Sequence, residues 1–247
     1  MNLTQTKREL LANGTALYYT KAYRFGQDAF LLAHFCNPHK NQTIADFGTG
    51  CGIITLRWHD RGHRGKCVSI DIQKDAVLLL QKALEENQEA SRHIQAYCGD
   101  LRSLPPHILP EQSFDLIACN PPYFTAGLVS PQPERATARH QLCCTIEDIC
   151  SVAGKALKDG AKLCICQRPE QLCAVMSAMR AFKIEPKRLQ MVHARLEKAP
   201  WLFLLEGQKN RACGLQVLPP IITQNEDFTP SDAILQIYGQ QARRESI

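Results

Sequence analysis

Short apolar runs alternate along the first half of the chain with segments whose apolar residues recur at helical spacing. The apolar runs predict strands at 43–47, 66–71, 93–98 and 114–119. Between them, helices are predicted at 53–61 and 73–87, and the second carries one apolar stripe formed by Ala76, Leu79, Leu80, Ala83 and Leu84. This alternation of strands and helices predicts an α/β fold with a doubly wound, mostly parallel sheet.

The second half of the chain continues the pattern less regularly. Helices are predicted at 146–158 and 170–182, the first ended by Asp159-Gly160, and strands at 161–166, 186–193 and 200–206. The last strand follows a short turn, so we expect it to run antiparallel to its neighbour. Before the first strand, Asp28 is predicted to cap a helix, and Phe228 leads into a short helix that runs through Tyr238.

We expect a single domain over residues 1–247. Its core is predicted at 43–206, with an extension at 1–42 that would cover a bound ligand and a second extension at 207–247. The sequence contains no internal repeat and no low-complexity segment that would indicate a further boundary.

A glycine-rich loop follows the first predicted strand. Gly48, Gly50 and Gly52 are separated by single residues, and Asp46 stands just before them. A strand, a glycine-rich turn and a helix form the first unit of a nucleotide-binding sheet. A dinucleotide-binding loop would carry its third glycine at the position of Ile53, so this loop departs from that pattern. The Asp46 carboxylate could reach a cationic ammonium, although a chance glycine turn would have the same sequence.

Two acids come at the ends of the next two predicted strands. Asp71 lies 19 residues after Gly52, a spacing typical of the carboxylate that accepts hydrogen bonds from ribose hydroxyls. Asp100 follows the third strand and suits an adenine amine. Each acid could instead cap the helix after it, and the sequence leaves both alternatives open.

The fourth predicted strand runs directly into Asn120-Pro121-Pro122-Tyr123. The two prolines stop the strand and form a stiff loop at its carboxyl end, the edge where open α/β sheets bind ligands. The Asn120 amide and the backbone carbonyls beside the prolines are acceptors, and Tyr123 offers a flat aromatic face. These groups fit a planar substrate that carries an amine, although Asn-Pro and Pro-Pro also occur in ordinary turns.

Composition narrows the class of protein. Hydrophobic residues make up 45% and charged residues 21% of the 247 residues, as in a folded domain with a substantial core. The net charge of +5 is compatible with a nucleic-acid partner but is too small to predict one. No apolar run approaches the roughly 20 residues of a membrane-spanning helix, and the first residues lack a signal core, so we expect a cytoplasmic protein.

The chain contains 12 cysteines, and none stands in a Cys-x-x-Cys pair or at Cys/His ligand spacing. We therefore expect no metal site and interpret most of the thiols as small buried side chains. So many unpaired thiols suit a reducing compartment.

A polar segment at 125–141 follows the proline loop. Its length and position suggest a substrate contact or a lid. Arg135 and Arg139 are four residues apart, so on a helix they would share a face and could hold phosphates. A solvated helix face is the equal alternative.

Three motifs together resemble those of a known family. They are Asp46-Phe47-Gly48-Thr49-Gly50-Cys51-Gly52, Asp71-Ile72-Gln73 and Asn120-Pro121-Pro122-Tyr123-Phe124. They are similar to the motifs of S-adenosylmethionine-dependent methyltransferases that act on planar amino nitrogens and have a Rossmann-like sheet. The segments 23–33 and 135–140 narrow the resemblance to bacterial tRNA methyltransferases that modify the N6 amine of adenine 37 in a valine tRNA. The resemblance covers nearly the whole chain, although many relatives carry Glu where Asp71 stands, and the tail at 228–232 differs from theirs.

The resemblance implies an enzyme that uses S-adenosyl-L-methionine to methylate tRNA without a metal. The sequence does not determine the oligomeric state, for which we favour a monomer. Asn120 and the Pro121 carbonyl would hold the target amine, and Tyr123 would stack on an extruded base. The residues implied in catalysis are Asn120, Pro121, Pro122 and Tyr123. Those implied in cofactor binding are Tyr23, Asp46, Gly48, Gly50, Gly52, Asp71, Ile72, Asp100, Leu101 and Asn120. Those implied in substrate binding are Arg24, Phe124, Arg135, Arg139 and His140.

Other reactions fit the same tetrapeptide. Protein-glutamine methyltransferases of the release-factor type carry it too, but they usually have a helical domain before the glycine loop, where 45 residues precede Asp46 here. DNA amino-methyltransferases need a target-recognition domain, for which the tail after Glu206 is short. A guanine-N2 rRNA methyltransferase and a non-catalytic RNA-binding protein that kept the fold stay open as alternatives.

Overall fold

The computed structural model describes residues 6–122 and 144–239. The strands in these residues are β1 (Lys7–Leu10), β2 (Ala16–Tyr19), β3 (Ile44–Phe47), β4 (Cys67–Asp71), β5 (Ile94–Cys98), β6 (Phe114–Cys119), β7 (Leu157–Gln167), β8 (Ile184–His193), β9 (Pro200–Lys209), β10 (Gln216–Val217) and β11 (Ile221–Ile222). The α-helices are α1 (Gln27–Cys36), α2 (Ile53–Asp60), α3 (Lys74–Glu86), α4 (Gln88–Ser91), α5 (Ile146–Ala156), α6 (Leu172–Ala181) and α7 (Asp232–Tyr238). Short 3-10 turns lie at Leu101–Ser103 and Pro169–Gln171.

The larger sheet of the described residues has nine strands. Their order is β10-β8-β9-β7-β6-β3-β4-β5, with β11 paired to β8. Strand β9 is antiparallel to both of its neighbours, and the other strand pairs described in this sheet are parallel. The doubly wound sheet with a late antiparallel strand, as predicted from the sequence, is confirmed.

The two faces of the sheet carry two apolar clusters because successive residues of a strand point to opposite sides. In β3, Ile44 packs with helices α1, α2 and α3, whereas Ala45 and Phe47 pack on the other face with α5 and α6. The same alternation places Ala118 of β6 on the first face and Cys119 on the second. Both faces of the central strands are therefore buried, as their continuous apolar sequences indicate.

The predicted end of the helix at 146–158 is wrong. Helix α5 ends at Ala156, and β7 begins directly at Leu157, which pairs with Phe114. The pairing then shifts, and Leu116 lies opposite Lys162. The Asp159-Gly160 pair, which looked like a helix stop, lies inside this irregular part of the strand, where Gly160 has φ +75°. Glycine accepts this left-handed conformation without a Cβ clash, so the bulge uses a residue that is also typical of helix ends.

The N-terminal region also differs from the prediction. Helix α1 begins at Gln27 with Gly26 as its N-cap, so Asp28 lies in the first turn and is not the cap. An unpredicted antiparallel hairpin, β1 with β2, precedes the helix. It rests on α3, where the Tyr18 hydroxyl donates to Glu86 at 2.6 Å and the backbone N–H of Ala16 donates to Asn87 at 2.9 Å.

The two-residue strands β10 and β11 were not predicted either, whereas α7 begins after Ser231 as expected.

A buried ion pair joins three distant segments. The Arg57 guanidinium of α2 lies 3.0 Å from the Asp60 carboxylate and donates to the Ile237 carbonyl of α7 at 2.8 Å. Asp60 also accepts the backbone N–H groups of Asn13 and Thr15, at 3.1 and 3.2 Å. This Arg57–Asp60 node therefore links the hairpin turn, α2 and the last described helix.

None of the helices within the described ranges is both long enough and apolar enough to cross a membrane.

Three histidines meet at the edge of the sheet opposite the glycine loop. His93 Nδ1 donates to the Gly65 carbonyl at 3.1 Å, and its Nε2 lies 2.9 Å from His59 Nδ1. His63 Nε2 donates to the Gln42 carbonyl at 3.0 Å. Burial lowers the pKa of His59 to about 4 and also lowers the pKa values of His63 and His93. The neutral forms therefore fit this cluster.

We predict that the contribution of this cluster to the free energy of unfolding falls as the pH drops from about 6.5 toward 4. In this range the unfolded chain binds protons that the folded cluster excludes, and each such proton costs about 1.4 kcal/mol per pH unit. Urea unfolding at several pH values measures the slope. His59→Gln should reduce it, whereas His107→Gln, at an exposed histidine, should leave it unchanged. The same slope in all three proteins would contradict a role for the cluster.

Candidate active site

The parallel register of β3, β4 and β6 brings the predicted site residues to one edge of the sheet. Phe47 lies opposite Ile70 on one side and Cys119 on the other. The chain continues from these three positions into the glycine loop, Asp71 and Asn120. Neighbouring strands lie about 4.8 Å apart, so the three segments leave the sheet side by side.

The three glycines of the loop all have left-handed backbone conformations but face different surroundings. Gly48, Gly50 and Gly52 have φ values of +73°, +56° and +83°. Among the described residues, nothing lies within 4 Å of the place where a Cβ on Gly48 or Gly50 would stand. A Cβ on Gly52 would lie 2.4 Å from Leu80 Cδ1. Gly48 and Gly50 therefore leave space open, whereas Gly52 lets helix α3 pack against the loop.

Asp71 fastens the glycine loop to the end of β4. Its Oδ2 accepts the backbone N–H of Gly50 at 2.8 Å, and its Oδ1 accepts that of Gln73 at 2.9 Å. Burial raises the pKa of Asp71. Each carboxylate oxygen keeps a further lone pair, so Asp71 can still accept hydrogen bonds from a ligand.

Asp46 lies behind the loop and not on the cavity wall. Its side chain is fully buried, and its Oδ2 accepts the Thr49 hydroxyl at 2.7 Å. Its Oδ1 has no hydrogen-bond partner among the described residues. Burial raises the pKa of Asp46 to about 7. A cationic group held against the loop would favour the carboxylate form and lower this pKa.

A cavity of about 380 Å³ lies between the glycine loop, the start of α1 and the proline loop. Its wall includes ten of the sequence-predicted site residues. They are Arg24, Gly48, Gly50, Asp71, Ile72, Asp100, Leu101, Asn120, Pro121 and Pro122. Three others, Tyr23, Asp46 and Gly52, do not line it. Tyr123, Phe124, Arg135, Arg139 and His140 lie outside the described residues.

Asp100 caps the turn that follows it, one of the two alternatives that the sequence left open, and its side chain also lines the cavity. Its Oδ1 accepts the backbone N–H of Arg102 at 2.9 Å and so caps the turn Leu101–Ser103. The Arg102 guanidinium lies 2.6 Å from Oδ2 and lowers the pKa of Asp100. The acid is therefore held ionised at the cavity wall.

The Asn120 amide is held from both sides by residues far away in sequence. Its Nδ2 donates to Asp28 Oδ2 of α1 at 3.0 Å. Its Oδ1 accepts the Cys166 thiol of β7, with Sγ at 3.1 Å. Burial raises the pKa of Cys166 well above its ordinary value, so the sulfur keeps its proton. Asn120 is thus oriented by its surroundings.

Several cavity residues were missed by sequence reasoning. Phe25 precedes α1, Asp28 lies in the first turn of α1, Cys51 comes from the glycine loop and Cys144 precedes α5. The acid at 28 did carry a signal, a charge just before an apolar helix face, but this was interpreted as a cap. Cys51 lies inside the glycine-loop motif and Phe25 inside the segment 23–33, but neither residue type indicated a cavity wall, and Cys144 lies in none of the motifs.

The cavity has the acceptors and shape for a nucleoside beside a planar amine. Asp71 and Asp100 present carboxylates, and Ile72 and Leu101 present apolar surface. The glycine loop has no side chains at Gly48 and Gly50, so part of a ligand can lie close to its backbone. At the other end, Asn120 and the prolines present amide and carbonyl oxygens. Asp46 lies behind the loop, so its carboxylate could act on a ligand only through its charge and not by direct contact.

Residues 25–182 match the family model described as "Methyltransferase small domain". The tRNA1(Val) (adenine(37)-N6)-methyltransferase of Parabacteroides distasonis is 30% identical over 187 residues, which are 75% of this chain and 76% of that one. A protein of the same name from Tolumonas auensis is 31% identical over 197 residues, with 74% and 76% of the two chains covered.

Solved structures share the fold. A predicted O-methyltransferase from Agrobacterium tumefaciens superposes with a TM-score of 0.69 at 21% identity, covering 88% of this chain and 99% of that one. A T. thermophilus 16S rRNA N2 methyltransferase in complex with AdoMet and guanosine gives a TM-score of 0.57 at 19% identity, covering 83% and 50%. At these identities the likeness concerns the fold alone.

We predict that Gly52→Ala destabilises the protein more than Gly50→Ala. Both substitutions place Ala in a left-handed conformation, which costs about 1–2 kcal/mol. Only the first also drives a Cβ into Leu80, and such overpacking adds about 1–3 kcal/mol. Urea unfolding measures both variants. In a Leu80→Ala background the extra loss from Gly52→Ala should shrink, and an undiminished loss there would show that Leu80 is not the obstacle.

Proposed function

The chain belongs to the methyltransferase small domain family and, within it, to the tRNA1(Val) (adenine(37)-N6)-methyltransferases, and from this we propose that it transfers a methyl group from S-adenosyl-L-methionine to an adenine N6 amine in tRNA. The specific target proposed is adenine 37, beside the anticodon of valine tRNA, as in the names of its relatives. The observation that carries the proposal is the placement of Asn120-Pro121-Pro122 on the wall of the same cavity as the glycine loop and Asp71.

The cofactor proposal rests on the fit of the cavity to a charged nucleoside. Asp71 would accept the ribose hydroxyls, Asp100 would accept the adenine amine, and Ile72 and Leu101 would flank the base. The loop at Gly48 and Gly50 would hold the methionine part. When bound, S-adenosyl-L-methionine supplies an electrophilic methyl group on a sulfonium centre.

On the substrate side, the chain would position a planar amine by its two hydrogens. The Asn120 amide oxygen and the Pro121 carbonyl are the proposed acceptors. Proline has no N–H of its own, so Pro121 and Pro122 add no backbone donor that would oppose the amine. Tyr123, and Phe124 beside it, would stack on the extruded base. Alignment of this kind can lower a barrier by about 7–11 kcal/mol. No strong base is required, because the proton of the amine can leave after methyl transfer.

Substrate contacts outside the cavity are proposed on charge and position. Arg24 is exposed and reaches the cavity wall from the segment before α1. Arg135, Arg139 and His140 would contribute phosphate contacts, and for them the support is the sequence resemblance alone. Contacts to phosphates would position the RNA without reading its sequence.

We propose that the protein acts in the cytoplasm as a monomer. The eleven cysteines among the described residues are all free thiols, which suits a reducing compartment. The histidine, cysteine and acidic side chains of the described ranges form no group that could hold a metal ion, and the proposed reaction uses none.

The proposed function is tested by transfer of labelled methyl groups from S-adenosylmethionine to unmodified bulk tRNA. Nucleoside mass spectrometry should identify N6-methyladenosine. Bulk tRNA from which valine tRNA has been removed should take up little label. Release factor serves as the parallel acceptor. Label in the release factor, or N2-methylguanosine in RNA, would assign the chain to another amino-methyltransferase activity.

We expect Asn120→Ala to abolish turnover while cofactor affinity stays close to that of the wild type. The substitution removes an acceptor for the target amine but leaves the glycine loop and Asp71 in place. Turnover is measured on tRNA, and affinity by calorimetry with S-adenosylhomocysteine. Full activity in this variant would overturn the role proposed for Asn120.

A further inference from the structure

Helix α1 brings a carboxylate into direct contact with the Asn120 amide. Asp28 Oδ2 lies 3.0 Å from Asn120 Nδ2, although the two residues are 92 positions apart in sequence. Both residues line the same cavity. The roles proposed above for the site residues do not use Asp28.

The contact fixes which way the amide faces. An ionised carboxylate can only accept hydrogen bonds, so the side of Asn120 that meets Asp28 must be its NH₂ group. The amide oxygen then lies on the other side, where the Cys166 thiol donates one hydrogen bond to it and a lone pair remains. A flipped amide would instead turn donors toward a substrate amine, which has only donors to offer in its plane.

Gly26 provides a second, independent observation. Its φ of −109° and ψ of −179° are extended, a conformation open to any residue, so the backbone does not require glycine there. A Cβ on Gly26 would lie 2.5 Å from Asp28 Oδ1. The absent side chain therefore leaves the space that the Asp28 carboxylate occupies while it holds Asn120.

We propose that Asp28 is a positioning residue that holds the Asn120 amide with its oxygen turned toward the target amine. The inference rests on the proposed function, since it assigns Asn120 to an amine acceptor. Asp28 acts through Asn120 and not as the base that removes the proton. Gly26 contributes to the same arrangement, because its missing side chain leaves room for the Asp28 carboxylate.

The first test compares Asp28→Ala with the wild type. The variant should lose about 100-fold in kcat on tRNA, the effect expected when a catalytic group is misplaced. KM for tRNA and Kd for S-adenosylhomocysteine should change little. Asp232→Ala, which removes an acid from the first turn of α7, is the matched control and should keep the wild-type rate. An unchanged kcat in Asp28→Ala, or a loss confined to cofactor affinity, would overturn the proposal.

A conservative variant separates positioning from proton removal. Asp28→Asn still offers a carbonyl oxygen to Asn120 Nδ2 but cannot act as a base. It should therefore recover most of the rate lost in Asp28→Ala, with a pH profile like that of the wild type. If Asp28→Asn is as inactive as Asp28→Ala, the charge itself is needed and the positioning role is wrong.

Gly26→Ala completes a double-mutant cycle. In the wild-type background it should lower kcat because the new Cβ displaces the carboxylate. In the Asp28→Ala background, where there is no carboxylate to displace, it should have little further effect on kcat. Equal losses in both backgrounds would show that Gly26 matters for another reason and would remove this support.

A measurement without any acceptor keeps this inference separate from the proposed function. In protein with isotope-labelled asparagine, each side-chain NH₂ group gives a pair of NMR signals. The pair that is absent from the spectrum of Asn120→Asp belongs to Asn120. Its exchange with water should be slow in the wild type and in Asp28→Asn but fast in Asp28→Ala. Fast exchange in the wild type would overturn the hydrogen bond, whereas failure to methylate tRNA with slow exchange would count only against the proposed function.

Discussion

The site depends on the parallel register of three neighbouring strands. With Phe47 opposite both Ile70 and Cys119, the glycine loop, Asp71 and Asn120 leave the sheet at the same level. Because both faces of β3 are buried, a shift by one residue would exchange its apolar sides and misplace the glycine loop that follows. Packing of the core and assembly of the site are thus fixed by the same constraint.

The sequence was sufficient for the central part of the fold because its signals are local. Short apolar runs predicted β3, β4 and β6 to within a residue or two of their bounds. The signals failed where one residue type suits two structures. Gly160 suits a helix end and a strand bulge equally well, and the pairing of Leu157 with Phe114 decides for the bulge.

The candidate site was predicted only as far as its motifs are contiguous. Ten predicted residues line the cavity, but their supporting contacts come from elsewhere in the chain. Asn120 is held by residues 92 and 46 positions away, and no spacing rule relates helix α1 or strand β7 to the proline loop. Asp46 stands beside the glycines in sequence, but the strand buries its side chain behind the loop, which the position alone does not indicate.

The Arg57–Asp60 node affects how the protein unfolds. Unwinding of α7 would break the hydrogen bond between the Arg57 guanidinium and the Ile237 carbonyl, and detachment of the hairpin turn would break two N–H hydrogen bonds to Asp60. Either event leaves a charge buried with fewer partners, which is costly inside a protein. The two ends of the described chain are also adjacent, because a Cβ on Gly239 would lie 2.8 Å from that of Ala12. Segments near chain ends usually fray first, whereas we expect the hairpin turn and α7 to open only together with α2.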